Sequence, residues 1–247
     1  MRAPLVPAAL AVLAVCPALS AQEAGEPIAD NSFLIEEAYN QERNVVQHIG
    51  TYTDNRGGGW ALTFTDEWPA GGVLNQMSVG LSLVGDESLG GRTFTTLILN
   101  YRRQLLGSAE GSWIVSPRVS LLGDVGSSGG APFSVQVNVP ASVVLTKAFV
   151  SHWNLGATVG VGPATVNAGG SVVWLTMARF NLLVEGLYVG AEGQPPSFTL
   201  NPGARAAFNL GSAQLVPGIS FPIDLGDSGG DGILLYLSLE HPFGPTE

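Results

Sequence analysis

Gln76-Met77-Ser78-Val79-Gly80-Leu81-Ser82-Leu83 alternates strictly between polar or small side chains and large apolar ones. Residues 134–139 (SVQVNV) and 152–159 (HWNLGATV) repeat this alternation. Because successive side chains of a strand point to opposite faces, each stretch predicts a β-strand with one apolar and one polar face. Such stretches, separated by Gly, Asp, Ser or Pro, continue from residue 45 to Phe243 and predict a meander of strands.

The composition indicates which solvent meets each face. Charged residues make up 12% of the 247 residues, against roughly 25% in soluble domains. A soluble sandwich shows the same alternation, but its polar face meets bulk water and usually carries charges. We therefore predict an all-β fold, a transmembrane antiparallel up-and-down β-barrel with an enclosed polar face and a lipid-facing apolar face. About twelve strands are predicted, at residues 45–53, 59–66, 75–84, 93–104, 112–122, 133–147, 151–161, 170–177, 180–190, 198–209, 213–224 and 231–243.

The connections alternate between long and short, as in membrane barrels with long outer loops and short periplasmic turns. With a periplasmic N-terminus, the predicted outer loops include residues 85–91, 123–132, 162–169, 190–197 and 225–230. The predicted periplasmic turns include residues 147–150, 178–179 and 210–212. Most aromatic residues then fall near the two membrane interfaces, but Trp174 lies in the middle of its predicted strand. Five prolines inside predicted strands lack a ladder N–H, so we expect irregular strands there: Pro117, Pro140, Pro202, Pro217 and Pro222.

Segments outside the predicted barrel (residues 45–243) have other predicted roles. Residues 1–20 form a predicted signal peptide, with Arg2, an apolar run at residues 5–15 and a small-residue cleavage pattern at 18–20. This predicts export and a location in the outer membrane. Residues 21–44 lack a period of two and form either a plug or a periplasmic leader, the plug candidates being Phe33, Glu36, Glu37 and Tyr39. Residues 244–247 form a tail after Phe243, the aromatic residue through which the barrel-assembly machinery would recognise the chain.

Polar residues on the enclosed face are the candidate functional residues. Arg118, Glu185, Arg205 and Glu240 share this face, and charges in a membrane are normally sheltered inside, where they often line a permeation path. Mutual ion pairing that fills the lumen is the alternative. The remaining lumen-lining candidates are amides: Gln136, Asn138, Asn154, Asn181 and Asn201. We expect Arg102, Arg103 and Arg179, near predicted periplasmic strand ends, to contact headgroups or water.

Signals for catalysis or metal binding are weak. Gly226-Asp227-Ser228-Gly229-Gly230 matches the nucleophile signature of trypsin-like proteases, but no histidine stands in the expected context. A turn is favoured, and a secreted serine hydrolase using Ser228 is a remote alternative. His152 beside Ser151 is a weak lipase-like candidate. The three histidines are dispersed and Cys16 is the single cysteine, so we predict no enzyme, metal site or cofactor. The net charge of −10 argues against a nucleic-acid partner.

Five stretches together resemble a known family: residues 31–42 (NSFLIEEAYNQE), 179–185 (RFNLLVE), 201–205 (NPGAR), 216–219 (VPGI) and 235–243 (LYLSLEHPF). The family comprises proteobacterial outer-membrane proteins labelled transporter-like or associated with the MetA-pathway of phenol degradation. The resemblance covers nearly the whole mature chain. It implies a transmembrane barrel with a passive transport role and largely unassigned substrates. Residues 244–247 after Phe243 depart from a terminal aromatic.

Twelve strands lie between the eight-stranded barrels filled by side chains and the sixteen-stranded barrels with a wide bore, and so predict a narrow pore. We expect passive uptake or efflux of a small solute, with outer-membrane lipid around the barrel. That the solute is aromatic or poorly polar is implied by the resemblance alone. A non-conducting structural or adhesion barrel, closed by its own side chains, is the alternative.

Overall fold

The computed structural model describes residues 28, 32–56, 58–86, 92–108, 111–125, 133–160, 162–226 and 231–243. The predicted signal peptide, Ser228 and the tail at residues 244–247 lie outside these residues. The strands are β1 (Val45–Asn55), β2 (Gly59–Pro69), β3 (Asn75–Asp86), β4 (Arg92–Arg103), β5 (Leu106–Gly107), β6 (Trp113–Val115), β7 (Arg118–Asp124), β8 (Phe133–Thr146), β9 (Phe149–Val159), β10 (Thr165–Met177), β11 (Phe180–Ala191), β12 (Ser197–Ala206), β13 (Phe208–Leu210), β14 (Ala213–Ser220), β15 (Ile223–Asp224) and β16 (Gly232–Pro242).

The strands form one closed antiparallel sheet. The long strands pair in chain order from β1 to β12, with β6 and β7 pairing in succession with β8. Strand β14 pairs with β12 and with β16, and β16 pairs with β1 over eleven residues. Counting each interrupted strand once gives twelve positions around the wall, which confirms the predicted fold class. Within the described residues, no helix is both long and apolar enough to cross a membrane.

The two faces of the wall differ as the alternation predicts. On β9, Leu155 is 65% exposed on the outer face, whereas its neighbour Asn154 is 8% exposed on the inner face. Large apolar side chains such as Leu62, Leu99 and Val184 are exposed on the outer face of other strands. An apolar surface that continues around the whole wall exceeds the isolated patches of a soluble monomer and matches the lipid-facing band of a membrane barrel.

The two ends of the barrel carry different connections. Two-residue turns join β8 to β9 and β10 to β11, at residues 147–148 and 178–179, and another joins β13 to β14 at residues 211–212. Gly211 has φ +66°, a left-handed conformation that glycine adopts without a steric penalty. We call the end of the barrel that carries these three turns the turn end. Strand β1 begins there and β16 ends there. The periplasmic orientation of the turn end stays a prediction.

Strand β10 is longer than the sequence indicates. It begins at Thr165, five residues before the predicted start at residue 170, so the predicted loop at residues 162–169 is wrong. The Gly169-Gly170 pair suggested a loop, yet both residues pair with β9 and β11. With the longer strand, Trp174 lies near the turn end and its ring stacks on that of Phe149, with centroids 6.1 Å apart. Trp174 therefore belongs with the interfacial aromatic residues.

The strand prolines coincide with breaks in the ladder. Pro117 separates β6 from β7, and Pro222 separates β14 from β15. Pro140 on β8 faces the first break, Pro202 on β12 faces the second, and Pro217 on β14 faces the break between β12 and β13. A residue without an N–H is tolerated where the neighbouring strand is interrupted. The expected irregular strands are therefore present, in matched positions.

Candidate functional site in the barrel lumen

Residues 32–42 lie inside the barrel, and we call them the lumenal segment. Ile35 is 1% exposed and Ala38 is fully buried. Hydrogen bonds join the segment to inward-facing side chains of strands on all sides, among them Gln76 of β3, Asn154 of β9 and Glu185 of β11. Of the two predicted forms of the N-terminal region, a plug matches this position.

The first part of the segment packs against an apolar part of the wall. The ring of Phe33 lies 5.3 Å from that of Tyr236, centroid to centroid. A Cβ atom at Gly203 or Gly218 would lie 2.6 or 2.5 Å from the Phe33 ring, so the absence of these side chains makes room for it. The surrounding buried cluster, which we call the apolar wall, comprises Ile49, Val173, Leu183, Ala207, Val216, Leu234 and Tyr236.

Glu185 holds the backbone of the segment. The N–H groups of Leu34 and Ile35 both donate to Glu185 Oε1 at 2.9 Å, and Asn201 Nδ2 donates to Oε2 at 2.6 Å. Two adjacent N–H groups aimed at one carboxylate oxygen satisfy donors that the non-strand backbone would otherwise bury unpaired. Gly169 lies on the neighbouring strand β10, where a Cβ would come within 2.5 Å of Ile35 Cδ1.

Glu36 is held by a cationic part of the wall. Its Oε2 accepts from Arg118 Nε and Asn138 Nδ2, each at 2.9 Å, and its Oε1 accepts from Arg102 Nη1 at 3.1 Å. The main chain of Glu36 adds two hydrogen bonds to the Asn154 side chain. Charge-assisted bonds of this kind are stronger than neutral ones.

Arg102 is the residue that the sequence interpretation placed wrongly. Instead of contacting headgroups or water, it is 2% exposed and faces the lumen. Its guanidinium also donates to the main-chain oxygens of Glu37 and Tyr39, and its Nε donates to Asn40 Oδ1 at 3.0 Å. Arg102 shares the inner face with Asn100, two residues earlier on β4, so the alternation itself contained this signal.

Glu37 points to a different set of partners. Its Oε1 accepts from Arg205 Nη2 at 3.2 Å and lies 3.4 Å from His152 Nε2. His152 Nδ1 is 2.7 Å from Ser142 Oγ, which in turn accepts from the N–H of Ala38 at 2.9 Å. This chain of buried groups fixes the segment to the wall through both side chain and main chain.

The predicted lipase-like pair is not brought together. The hydroxyl of Ser151 donates to the main-chain oxygen of Ser171, whereas His152 contacts Ser142. Because adjacent residues of a strand face opposite sides, Ser151 and His152 could not share one site. Ser142 is fully buried behind the lumenal segment, and its contacts hold the segment.

The other predicted residues lie on the inner face but differ in their contacts. Gln136 accepts from Arg118 Nη2 at 3.0 Å, and Asn201 binds Glu185. Asn181 pairs in register with Arg205, and Glu240 pairs with Gln47 near the turn end. Tyr39 packs edge-on against His152. Sequence reasoning missed several further lumenal partners: Gln47, Glu67, Gln76, Ser116 and Ser142.

The histidines are not all dispersed, contrary to the sequence interpretation. His48 of β1 and His241 of β16 are 193 positions apart in the chain, yet their Nε2 atoms are 3.1 Å apart. Sequence separation hid the pair because β1 and β16 meet only when the barrel closes.

The five stretches that carry the family resemblance meet at the lumenal segment. Residues 33–37 contact Glu185 of the second stretch and both Gly203 and Arg205 of the third. They also contact Gly218 of the fourth and Tyr236 of the fifth. Far-separated motifs therefore belong to one site.

Several solved structures of outer-membrane proteins share this fold, among them two porins and a channel. The KdgM porin is 8% identical, with a TM-score of 0.57, over 80% of this chain and 99% of that one. The NanC porin is 8% identical, with a TM-score of 0.54, over 80% of this chain and all of that one. The COG4313 outer membrane channel from Pseudomonas putida F1 is 14% identical, with a TM-score of 0.56, over 83% and 98% of the two chains.

These similarities define the class of fold. The chain is an outer-membrane-type β-barrel with the architecture of porins and channels. No family model and no curated protein sequence matches it.

Proposed function

We propose that this protein is a passive channel of the outer membrane for a small solute, and that the lumenal segment controls its opening. The observation that carries the proposal is the placement of residues 32–42 across the lumen, joined to the wall mainly by hydrogen bonds and ion pairs. Water can replace such contacts, whereas a continuous apolar core would resist release. The shared fold with porins and channels supports the proposal.

The charges indicate what release of the segment would expose. The segment contributes the carboxylates of Glu36 and Glu37 to Arg102, Arg118 and Arg205. Once the segment leaves, these guanidinium groups face the lumen without those two carboxylates. Rings of arginine are a known selectivity element for anions, so we propose that the open channel favours an anionic solute.

The contacts of Phe33 and Glu37 suggest a more specific solute. Phe33 lies against Gly203, and Glu37 binds Arg205, two residues further along the inner face of β12. Positions two apart on a strand are about 7 Å apart. A small aromatic carboxylate could replace both groups together, which agrees with the aromatic solute implied by the family resemblance. The KdgM porin, whose fold is similar, has been solved with oligogalacturonate, also an anion.

A reversible cross-link tests whether the segment is the gate. The Oγ atoms of Ser32 and Ser171 are 3.4 Å apart, so Ser32→Cys with Ser171→Cys places two sulfurs within reach of a disulfide. In a Cys16→Ser background no other cysteine remains. We expect benzoate flux into liposomes to fall at least tenfold on oxidation and to recover on reduction, while the Ser32→Cys single variant is unaffected.

Deletion of residues 28–42 gives the opposite expected result, a large rise in conductance and benzoate flux. Heat-modifiable gel mobility shows whether the shortened chain still forms a barrel. Equal flux through the oxidised and reduced cross-linked protein would show that the segment is no gate. A folded deletion variant without conductance would support the alternative, a non-conducting structural barrel.

A further inference from the structure

A cluster on the outer surface of the barrel lies apart from the lumen. His48 of β1, Asp66 of β2 and His241 of β16 meet near the turn end, where the first and last strands close the wall. His48 faces outward because its neighbours Gln47 and Ile49 are buried on the inner face. Its ring also lies 6.4 Å from that of Phe64, which is exposed on the outer surface.

The hydrogen bonds of the two rings fix where their protons lie. His48 Nδ1 is 2.5 Å from Asp66 Oδ1, and His241 Nδ1 is 3.0 Å from the main-chain oxygen of Pro242. Both oxygens are acceptors, so each Nδ1 atom carries a hydrogen and donates it. The two Nε2 atoms then face each other, 3.1 Å apart.

Two ring nitrogens at this distance are held together by a proton or by a metal cation between them. We propose that His48 and His241 bind one divalent transition metal ion, such as Zn²⁺, through their Nε2 atoms. Ligands about 2.05 Å from the ion are about 2.9 Å apart at a right angle and about 3.4 Å apart in a tetrahedron. The observed 3.1 Å lies between these values. The ring centroids are 5.2 Å apart, so each ring has to turn to direct its lone pair at the ion.

The groups behind the two rings match this assignment. Metal-binding histidines usually donate their other N–H to a carboxylate or a main-chain carbonyl, which fixes the ring and raises its basicity. Asp66 and the Pro242 carbonyl occupy these positions. Among the described residues no cluster of three or more metal-binding side chains occurs. We assign to Asp66 the role of orienting His48 through its hydrogen bond to Nδ1, with water as the further ligands of the ion.

The proposed ion lies where the first and last strands of the barrel pair, so its binding affects the stability of the closed barrel. His48 and His241 belong to the two strands whose pairing closes the barrel, and the side chains of His48 and Asp66 are about one-third exposed. An ion bound to both strands stabilises the closed barrel over any state in which they separate. The proposed ion therefore holds β1 and β16 together on the outer surface of the barrel.

Zinc titration of the full chain, purified without a histidine tag and stripped with EDTA, tests the proposal. We expect one Zn²⁺ per chain by calorimetry at neutral pH, and a rise in the temperature at which the barrel loses its fast gel mobility. His48→Gln and His241→Gln should each lower the affinity at least tenfold and abolish the thermal shift. Asp66→Ala should weaken binding about ten- to a hundredfold. Phe64→Leu, which alters neither nitrogen, should bind as the unmodified chain does.

Two results would overturn the metal assignment. If millimolar Zn²⁺ neither binds nor shifts the unfolding temperature, a proton shared between the two rings occupies the gap. If binding persists in both histidine variants, the ion lies elsewhere. Both histidines are on the outer face, and gel mobility before heating verifies that each variant is folded.

Discussion

The lumenal segment meets two walls that hold it by different physics. At the apolar wall, the ring of Phe33 lies among aliphatic side chains, Tyr236 and two glycines. Across the lumen lies what we call the polar wall, the inward faces of β3, β4 and β7–β9, where discrete hydrogen bonds hold residues 36–41. Apolar contact is non-directional, whereas each polar bond depends on charge and geometry. Contacts at the apolar wall therefore depend on shape and area, whereas those at the polar wall depend on charge and salt, and the proposed opening requires release from both walls.

Two reporter cysteines separate release from the two walls. Ser32→Cys lies beside Phe33, and Ala38→Cys lies at the polar wall. Both positions are buried, so a water-soluble maleimide labels either one, in the Cys16→Ser background, only when the local contacts open.

Arg102→Ala should have the largest effect. Arg102 contacts Glu36, Glu37, Tyr39 and Asn40, and removal of one partner of a buried ion pair costs about 3–5 kcal/mol. We expect the Ala38→Cys reporter to label at least a hundredfold faster, with a smaller change at Ser32→Cys. Arg103→Ala is the matched control, because Arg103 is exposed on the opposite face of β4. Equal acceleration at both reporters would mean that the two walls release together.

Glu37→Gln should have an intermediate effect, and Glu36→Gln a smaller one. The Glu37 side chain is 4% exposed and that of its cationic partner Arg205 is 2% exposed, whereas Glu36 and Arg118 are 17% and 19% exposed. A charge-assisted bond lost in the more buried pair costs about 2 kcal/mol, and more exposed pairs are weakened by salt.

Salt should therefore distinguish the two substitutions. In the Glu37→Gln variant, the ion pairs of Glu36 still hold the segment. Raising KCl from about 0.1 M to about 1 M should screen these ion pairs and so accelerate labelling of the Ala38→Cys reporter. Glu36→Gln should respond much less. An identical salt response of the two variants would remove the distinction between their sites.

Gly218→Ala should have the smallest effect, confined at first to the apolar wall. Its Cβ would lie 2.5 Å from Phe33, an overlap worth about 1–2 kcal/mol. We expect labelling at Ser32→Cys to rise about tenfold. Adding Phe33→Ala removes the overlap, so the double variant should label no faster than Phe33→Ala alone. Gly50→Ala is the control, since its Cβ would have no contact closer than 3.9 Å. Unchanged labelling of Gly218→Ala would show that Phe33 is not seated there.

The alternation of polar and apolar side chains along each strand predicted much of the fold, because it shows which face of the strand meets lipid and which faces the enclosed lumen. All twelve predicted strands overlap strands of the barrel, and the predicted inner residues Arg118, Glu185 and Arg205 lie in the lumen. The error at β10 arose because a glycine pair is typical of loops. Here Gly169 is a glycine because Ile35 occupies the space of its side chain, and no local pattern reports such a contact.

Arg102 shows a different limit. Its place on the inner face followed from Asn100, but its position near a strand end suggested contact with water. The lumenal segment reaches the turn end of the barrel, where the main-chain oxygens of Glu37 and Tyr39 accept hydrogen bonds from Arg102. These acceptors allow the guanidinium group to be buried.

The sequence by itself determined the alternating strands, their number and the enclosed face, because strand periodicity and burial are local properties of neighbouring residues. Tertiary structure alone decided which of those enclosed groups bind the lumenal segment, and it alone brought His48 to His241. Closing a barrel joins residues at opposite ends of the chain, and their contacts depend on the register of every strand between them.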